Sequence, residues 1–170
     1  MNGAAMDKLI SDEFLDNLLA KAGESPRRRS HHNFHESPES AVQRLCIGLQ
    51  PGTYVRPHRH PESNKWEMMI ILRGSVRVLL YDETGVVESV VTLSDGEADS
   101  KGIEIPAGKI HSVQPIGGSA VILEFKEGPF KPSGPANFAE WAPGEGDVDV
   151  PDYLKWSAGA EPGSRWASQI

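Results

Sequence analysis

A chain of 170 residues is long enough to bury a proper core and is most simply one domain. Its 17 Lys plus Arg stand against 24 Asp plus Glu, with an isoelectric point near 5.3, a balance that argues against a general nucleic-acid or anionic-membrane binder. No apolar run has the length of a membrane span and no basic-then-apolar signal segment opens the chain; with Cys46 as the only cysteine, the expectation is a cytoplasmic protein without an intrachain disulfide.

Residues 1–10 read as a loose start. Residues 11–22 carry the marks of a short helix: Ser11 as N-cap, Asp12 and Glu13 in the first turn, a stripe of Phe14, Leu15, Leu18 and Leu19, and Gly23 past the end. Such a helix needs a surface, either a sheet's outer face or a partner subunit. Residues 24–40 gather His31, His32 and His35 with Arg27, Arg28 and Arg29 between Pro26 and Pro38. This segment is either an arm across the mouth of a site, offering cations to an acidic ligand, or a solvated linker.

Strands are expected over residues 41–49, 66–73, 75–81, 86–93, 102–105, 111–114 and 120–126. The turns between them are marked by Gly74, by Asp82-Glu83-Thr84-Gly85, by Ser94-Asp95-Gly96 and by Gly117-Gly118. Short strands at close spacing with no helix between them predict an all-β fold, a small antiparallel barrel or jelly roll with room inside for one ligand. The predicted organisation is an N-terminal helix and basic arm over 1–40, the barrel over 41–127, and an irregular Pro/Gly/Trp-rich extension over 128–170. That extension holds Trp141, Trp156 and Trp166, and its last ten residues are expected to be disordered.

Residues 52–74 organise the rest. They read as a short strand ending in His58-Arg59-His60, a polar loop over 61–65 and then a strongly apolar strand, so that His58 and His60, two apart, project to one face. On the following strand Glu67, Met69, Ile71 and Arg73 share one face and Trp66, Met68, Ile70 and Leu72 the other. Both faces are largely apolar, so this is a buried strand, in which a Glu is expensive unless paired or metal-bound. A turn at Pro106 to Gly108 brings in His111. His58, His60, Glu67 and His111 therefore form a candidate site for one divalent metal ion, with Glu62 in the intervening loop as a rival carboxylate. Arg56 shares parity with His58, and Arg44 interrupts an apolar strand; both are candidates to hold an anionic ligand. The outer apolar face of residues 66–72 must be covered, by the N-terminal helix or by a homodimer.

The arrangement of Gly52, five residues, His58-Arg59-His60, Glu67, six residues and Gly74, followed by Pro106-Ala107-Gly108-Lys109-Ile110-His111, resembles the two motifs of the cupin superfamily. The His60-to-Glu67 gap is longer than that pattern usually has, and Pro115 replaces its usual Asn. The segments SPRRRSHHNFH, VQRLCIGL, RPHRHP, KWE, EIPAGKIHSV, EFKEGPF and FAEWAP further resemble the WbuC family of cupin-fold metalloproteins. That resemblance implies a bacterial protein linked to O-antigen or other surface-polysaccharide (lipopolysaccharide) biosynthesis, and it adds Asn33 and His35 to the residues expected to line the site. Three imidazoles and a carboxylate leave a six-coordinate Fe, Mn, Ni or Zn ion two open positions, where a small oxygen-rich sugar or acid can chelate. The leading expectation is a sugar isomerase or epimerase. The alternatives are a metal-dependent binding protein without turnover and an iron-dependent oxygenase.

Overall fold

Runs of apolar residues with period two pair into two antiparallel sheets, and the helices cover their outer faces. The computed structural model describes residues 8–96 and 100–167. Its elements are α1 (Asp12–Glu24), β1 (Arg29–Asn33), β2 (Val42–Leu49), β3 (Glu67–Arg73), β4 (Ser75–Tyr81), β5 (Val87–Ser94), β6 (Gly102–Ile105), β7 (Ile110–Pro115), β8 (Ala120–Glu127) and α2 (Val150–Gly159). One sheet has the order β1-β2-β8-β3-β6 and the other β5-β4-β7. Leu45, Ile47, Leu49, Met69, Ile71, Val76, Val78, Leu93, Val113 and Ile122 fill the space between them. The expected all-β double-sheet jelly roll is the observed architecture.

Ser11 caps α1 by accepting from the Phe14 N–H, with Asp12 and Glu13 in the first turn. The helix lies on the outer face of the five-stranded sheet, where Leu15 and Leu18 pack with Cys46 and Val121 and against Leu72 and Leu123. Gly48 permits the close approach, because a Cβ there would stand 3.1 Å from the Leu18 carbonyl oxygen. The loose start expected over residues 1–10 falls mostly on residues 1–7, outside the described residues.

Four expectations are corrected. The basic arm contributes a strand, β1, which pairs antiparallel with β2 in the register His31 opposite Ile47. Arg73 leaves the face of Glu67, Met69 and Ile71 because a register shift between Ile71 and Arg73 turns it toward α1, where it pairs with Asp12 and Asp16. The segment carrying His58 and His60 is no regular strand; a single bridge pairs His58 with His111 and another pairs it with Phe138. Finally, the C-terminal extension is not irregular throughout: among its described residues, 128–167, it forms α2 on the outer side of the three-stranded sheet, and its Trp166 is buried with Tyr54 and Tyr153. Arg165 forms a bridge with Val86. Only residues 168–170 of the final ten lie outside the described residues.

Candidate metal centre

His58 and His111 are placed first by backbone hydrogen bonds. The His58 N–H donates to the His111 carbonyl at 3.0 Å and the His111 N–H donates to the His58 carbonyl at 2.9 Å, so the two residues stand directly opposite each other. The turn before His111 closes with the Lys109 N–H on the Pro106 carbonyl at 3.2 Å, and Gly108 takes the positive φ of 79° that this turn requires. The Gly108 N–H then donates to the His60 carbonyl at 2.8 Å, tying the second histidine to the same turn. Glu67 opens β3, with its side chain in the space between the sheets and only 2% exposed.

Four side chains converge. His111 Nε2 lies 2.8 Å from Glu67 Oε2 and His60 Nε2 lies 3.0 Å from Glu67 Oε1. The His58 and His111 ring centroids are 4.5 Å apart and those of His58 and His60 5.6 Å. One ligand atom each from His58, Glu67 and His111 falls within 4.8 Å of the others. The Nδ1 atoms of His58 and His111 face the backbone carbonyls of Arg56 and Lys109, both at 2.9 Å, which fixes Nδ1 as donor and turns the Nε2 lone pair inward in the neutral ring.

The buried Nε2 atoms of His60 and His111 and the buried Oε2 of Glu67 have no aligned hydrogen bond despite the short distances. Two imidazole nitrogens crowded on one buried carboxylate, close enough to pair by charge yet not aligned on it, are an arrangement natural around a cation. Two ligands bound at about 2.1 Å and at right angles to each other stand about 3.0 Å apart, the spacing seen here. His58, Glu67 and His111 fit a divalent ion; His60 reaches Glu67 at 3.0 Å but stands outside the group whose ligand atoms all fall within 4.8 Å of one another.

Electrostatics agree. Burial pushes the His58 pKa down to about 3, with the charge of His111 second, so His58 is neutral and ready to ligate. Burial would raise the Glu67 carboxyl, but the His111 and His60 side chains outweigh it and hold the group well below the usual carboxylate range. For His111, burial lowers the pKa, yet Glu67 outweighs that and holds it above its ordinary value.

The site opens into a cavity of about 580 Å³ whose wall includes Leu45, Arg56, His58, Glu67, Glu124 and Phe138. Arg56 donates to the Ala139 carbonyl at 2.9 Å and stacks on Phe138 at 5.3 Å, reaching this cavity as expected. Arg44 does not: alternation along β2 sends Leu45, Ile47 and Leu49 inward and Arg44 outward, into a pocket with Lys8, Phe34 and Phe125. Asn33 and His35 line an adjoining cavity of about 430 Å³, which shares His31, Leu45, Lys126 and Phe130 with the first. His35 is held in place by the Arg44 backbone, its Nδ1 3.0 Å from both the N–H and the carbonyl. Glu62 points away toward Lys131 at 3.5 Å.

Sequence spacing does not separate Arg29 and His31 from the rest of the basic arm, yet β1 turns both into the cavity. It also misses Glu124 and Lys126, which β8 turns there. Glu124 carries the same signal that singles out Glu67, an acidic residue inside an apolar strand.

The model of a domain of unknown function, DUF6016, matches residues 10–93. No curated protein matches the chain. Among solved structures, the TT1209 protein of Thermus thermophilus is similar with a TM-score of 0.51 at 17% identity, over 71% of this chain and 97% of that one. A conserved protein of unknown function from Streptococcus pyogenes gives 0.49 at 13% identity, over 78% and 95%. A cupin superfamily protein of Desulfitobacterium hafniense gives 0.45 at 17%, over 58% and 76%. The likeness to TT1209 is one of fold alone.

Proposed function

We propose that this chain is a metal-binding cupin that holds one divalent ion, Fe, Mn, Ni or Zn, through His58, His60, Glu67 and His111 and takes a small oxygen-rich ligand in the adjoining cavity. The observation that carries this reading is the set of buried, inward-facing Nε2 and carboxylate atoms 2.8 to 3.0 Å apart with no aligned hydrogen bonds among them. When bound, the ion supplies Lewis acidity toward a chelated carbonyl or hydroxyl. Arg56 offers a cation to a carboxylate or phosphate on that ligand, and its buried Nε has no partner in the free protein. Leu45, Leu49, Met69 and Val113 give the cavity an apolar wall beside the metal ligands.

The reaction class that suits such a site is isomerisation or epimerisation of a sugar derivative. The resemblance to the WbuC family supports a place in bacterial surface-polysaccharide biosynthesis in the cytoplasm. Met68 and Ile70 remain part-exposed on the outer face of β3, which supports a homodimer across that face. Elemental analysis of protein purified without a chelating tag tests the central claim. About one equivalent of metal in the wild type, lost in His58→Ala and Glu67→Gln, is expected. No metal after reconstitution refutes the reading.

A further inference from the structure

Glu124 is a second buried carboxylate on the wall of the metal cavity, only 5% exposed, and nothing in the metal centre uses it. Its cross-strand neighbours are Leu45 on β2 and Met69 on β3, both apolar and both lining the same cavity. An ionisable group between two such side chains is costly in a dry core. The Lys126 ammonium stands 2.8 Å from Glu124 Oε1 and 3.5 Å from Glu67 Oε1, so one cation steadies both carboxylates. Lys126 is the charged partner of Glu124 Oε1 and fills part of what this carboxylate can accept. A carboxylate accepts about four hydrogen bonds and donates none, so the accepting capacity that Lys126 leaves open calls for a donor from the cavity.

We propose that Glu124 reads a hydroxyl group of the metal-chelated ligand, and that the ligand class is a hydroxylated acid or sugar acid in preference to a plain dicarboxylate. The inference rests on the metal-cupin reading above. The site then presents three complementary features: the ion for a pair of adjacent oxygens, Arg56 for an anionic group, and Glu124 for a hydroxyl donor. A second carboxylate at the Glu124 end would face a buried like charge whose one paired cation, Lys126, is already shared with Glu67, which disfavours oxalate-like and malonate-like ligands at that end. A ligand without the hydroxyl displaces water from Glu124 and leaves only Lys126 on it, a loss equal to about 10- to 100-fold in affinity.

The test uses metal-reconstituted full-length protein and calorimetric titration with lactate, glycerate, gluconate and malonate. The first three share one chelating hydroxy-carboxylate and differ in further hydroxyls. Glycerate or gluconate binding at least tenfold more tightly than lactate and malonate is expected, with the preference falling to within about threefold in Glu124→Gln. Equal affinities in the wild type, tightest binding of malonate, absence of binding by the hydroxylated probes, or a preference unchanged in Glu124→Gln would each overturn the proposal. The wild-type comparison stands even where the variant fails to fold. Metal content is measured on the same samples: protein that holds no metal overturns the metal-centre reading and this one together, whereas loaded protein without hydroxyl preference overturns this one alone.

Discussion

Glu67→Gln separates a metal ligand from a buried ion pair. Glu67 is 2% exposed, with imidazole nitrogens at 2.8 and 3.0 Å and the Lys126 ammonium at 3.5 Å. Glutamine keeps the shape and removes the charge. In the metal-free protein Lys126 retains Glu124 at 2.8 Å, so the cost is that of one weakened buried contact set, about 1–3 kcal/mol. In the metal-loaded protein the loss is larger in kind, because the one anionic ligand is gone. A metal present at about 100 times its dissociation constant stabilises the wild type by about 2.7 kcal/mol. At about 2–4 °C per kcal/mol for a domain of this size, that is a rise of about 5–11 °C in Tm. Thermal unfolding followed by circular dichroism, with chelator-stripped protein and with Mn, Fe, Ni or Zn added back, reads both quantities. The expected result is a metal-dependent rise in the wild type and about none in Glu67→Gln. An undiminished rise in the variant would refute the assignment of Glu67 as a ligand, and no rise in the wild type would refute the metal centre.

Metal affinity should fall as pH falls. Glu67 holds His111 above its ordinary value of 6.5 against burial, so a proton competes with the metal there from above that pH downward; titration at pH 8 and pH 6 should show weaker binding at 6, with proton release on binding. The metal-free protein should lose stability as pH falls from 6.5 toward 3, because the unfolded chain protonates His58 near 6.5 while burial keeps it neutral to about 3 in the fold; unfolding midpoints across that window check the sign. Arg56→Ala should weaken binding of an anionic ligand such as gluconate while Arg44→Ala leaves it unchanged, since Arg56 lines the cavity and Arg44 does not; equal effects in the calorimeter would contradict that placement. Gly48→Ala should lower stability by about 1–3 kcal/mol, because its Cβ would stand 3.1 Å from Leu18 across the interface between α1 and the sheet; denaturant unfolding measures it.

The sequence by itself determined whatever depends on near neighbours in the chain. Period-two apolar runs and Gly-marked turns set the strands: the predicted 75–81 and 102–105 coincide with β4 and β6, and Ser11 with its acidic first turn set α1. The spacing singled out His58, Glu67 and His111, whose ligand atoms stand within 4.8 Å of one another in the fold, and His60, which stands 3.0 Å from Glu67; Glu67 is readable because a lone acid in an apolar strand demands a partner.

The tertiary structure decided what depends on pairing across the chain. The arm around Arg29 and His31 has no apolar alternation of its own and becomes a strand only because β2 offers it a free edge. The register shift between Ile71 and Arg73 is set by the pairing with β8, Ile71 opposite Ile122 and Arg73 opposite Val121, which no local pattern records. Arg44 points outward because the inward parity of β2 belongs to Leu45 and Ile47, and in a strand of mixed apolar residues that parity is fixed only by which sheet lies opposite. The C-terminal extension escaped because its aromatic residues gain order from one another and from Tyr54 and Tyr81, far away in sequence; the Tyr153 and Tyr81 hydroxyls share a hydrogen bond at 2.8 Å. Glu124 joined the cavity for the same reason: its meaning lies in Lys126, Leu45 and Met69 meeting around it, and the partners on β2 and β3 are supplied by the fold.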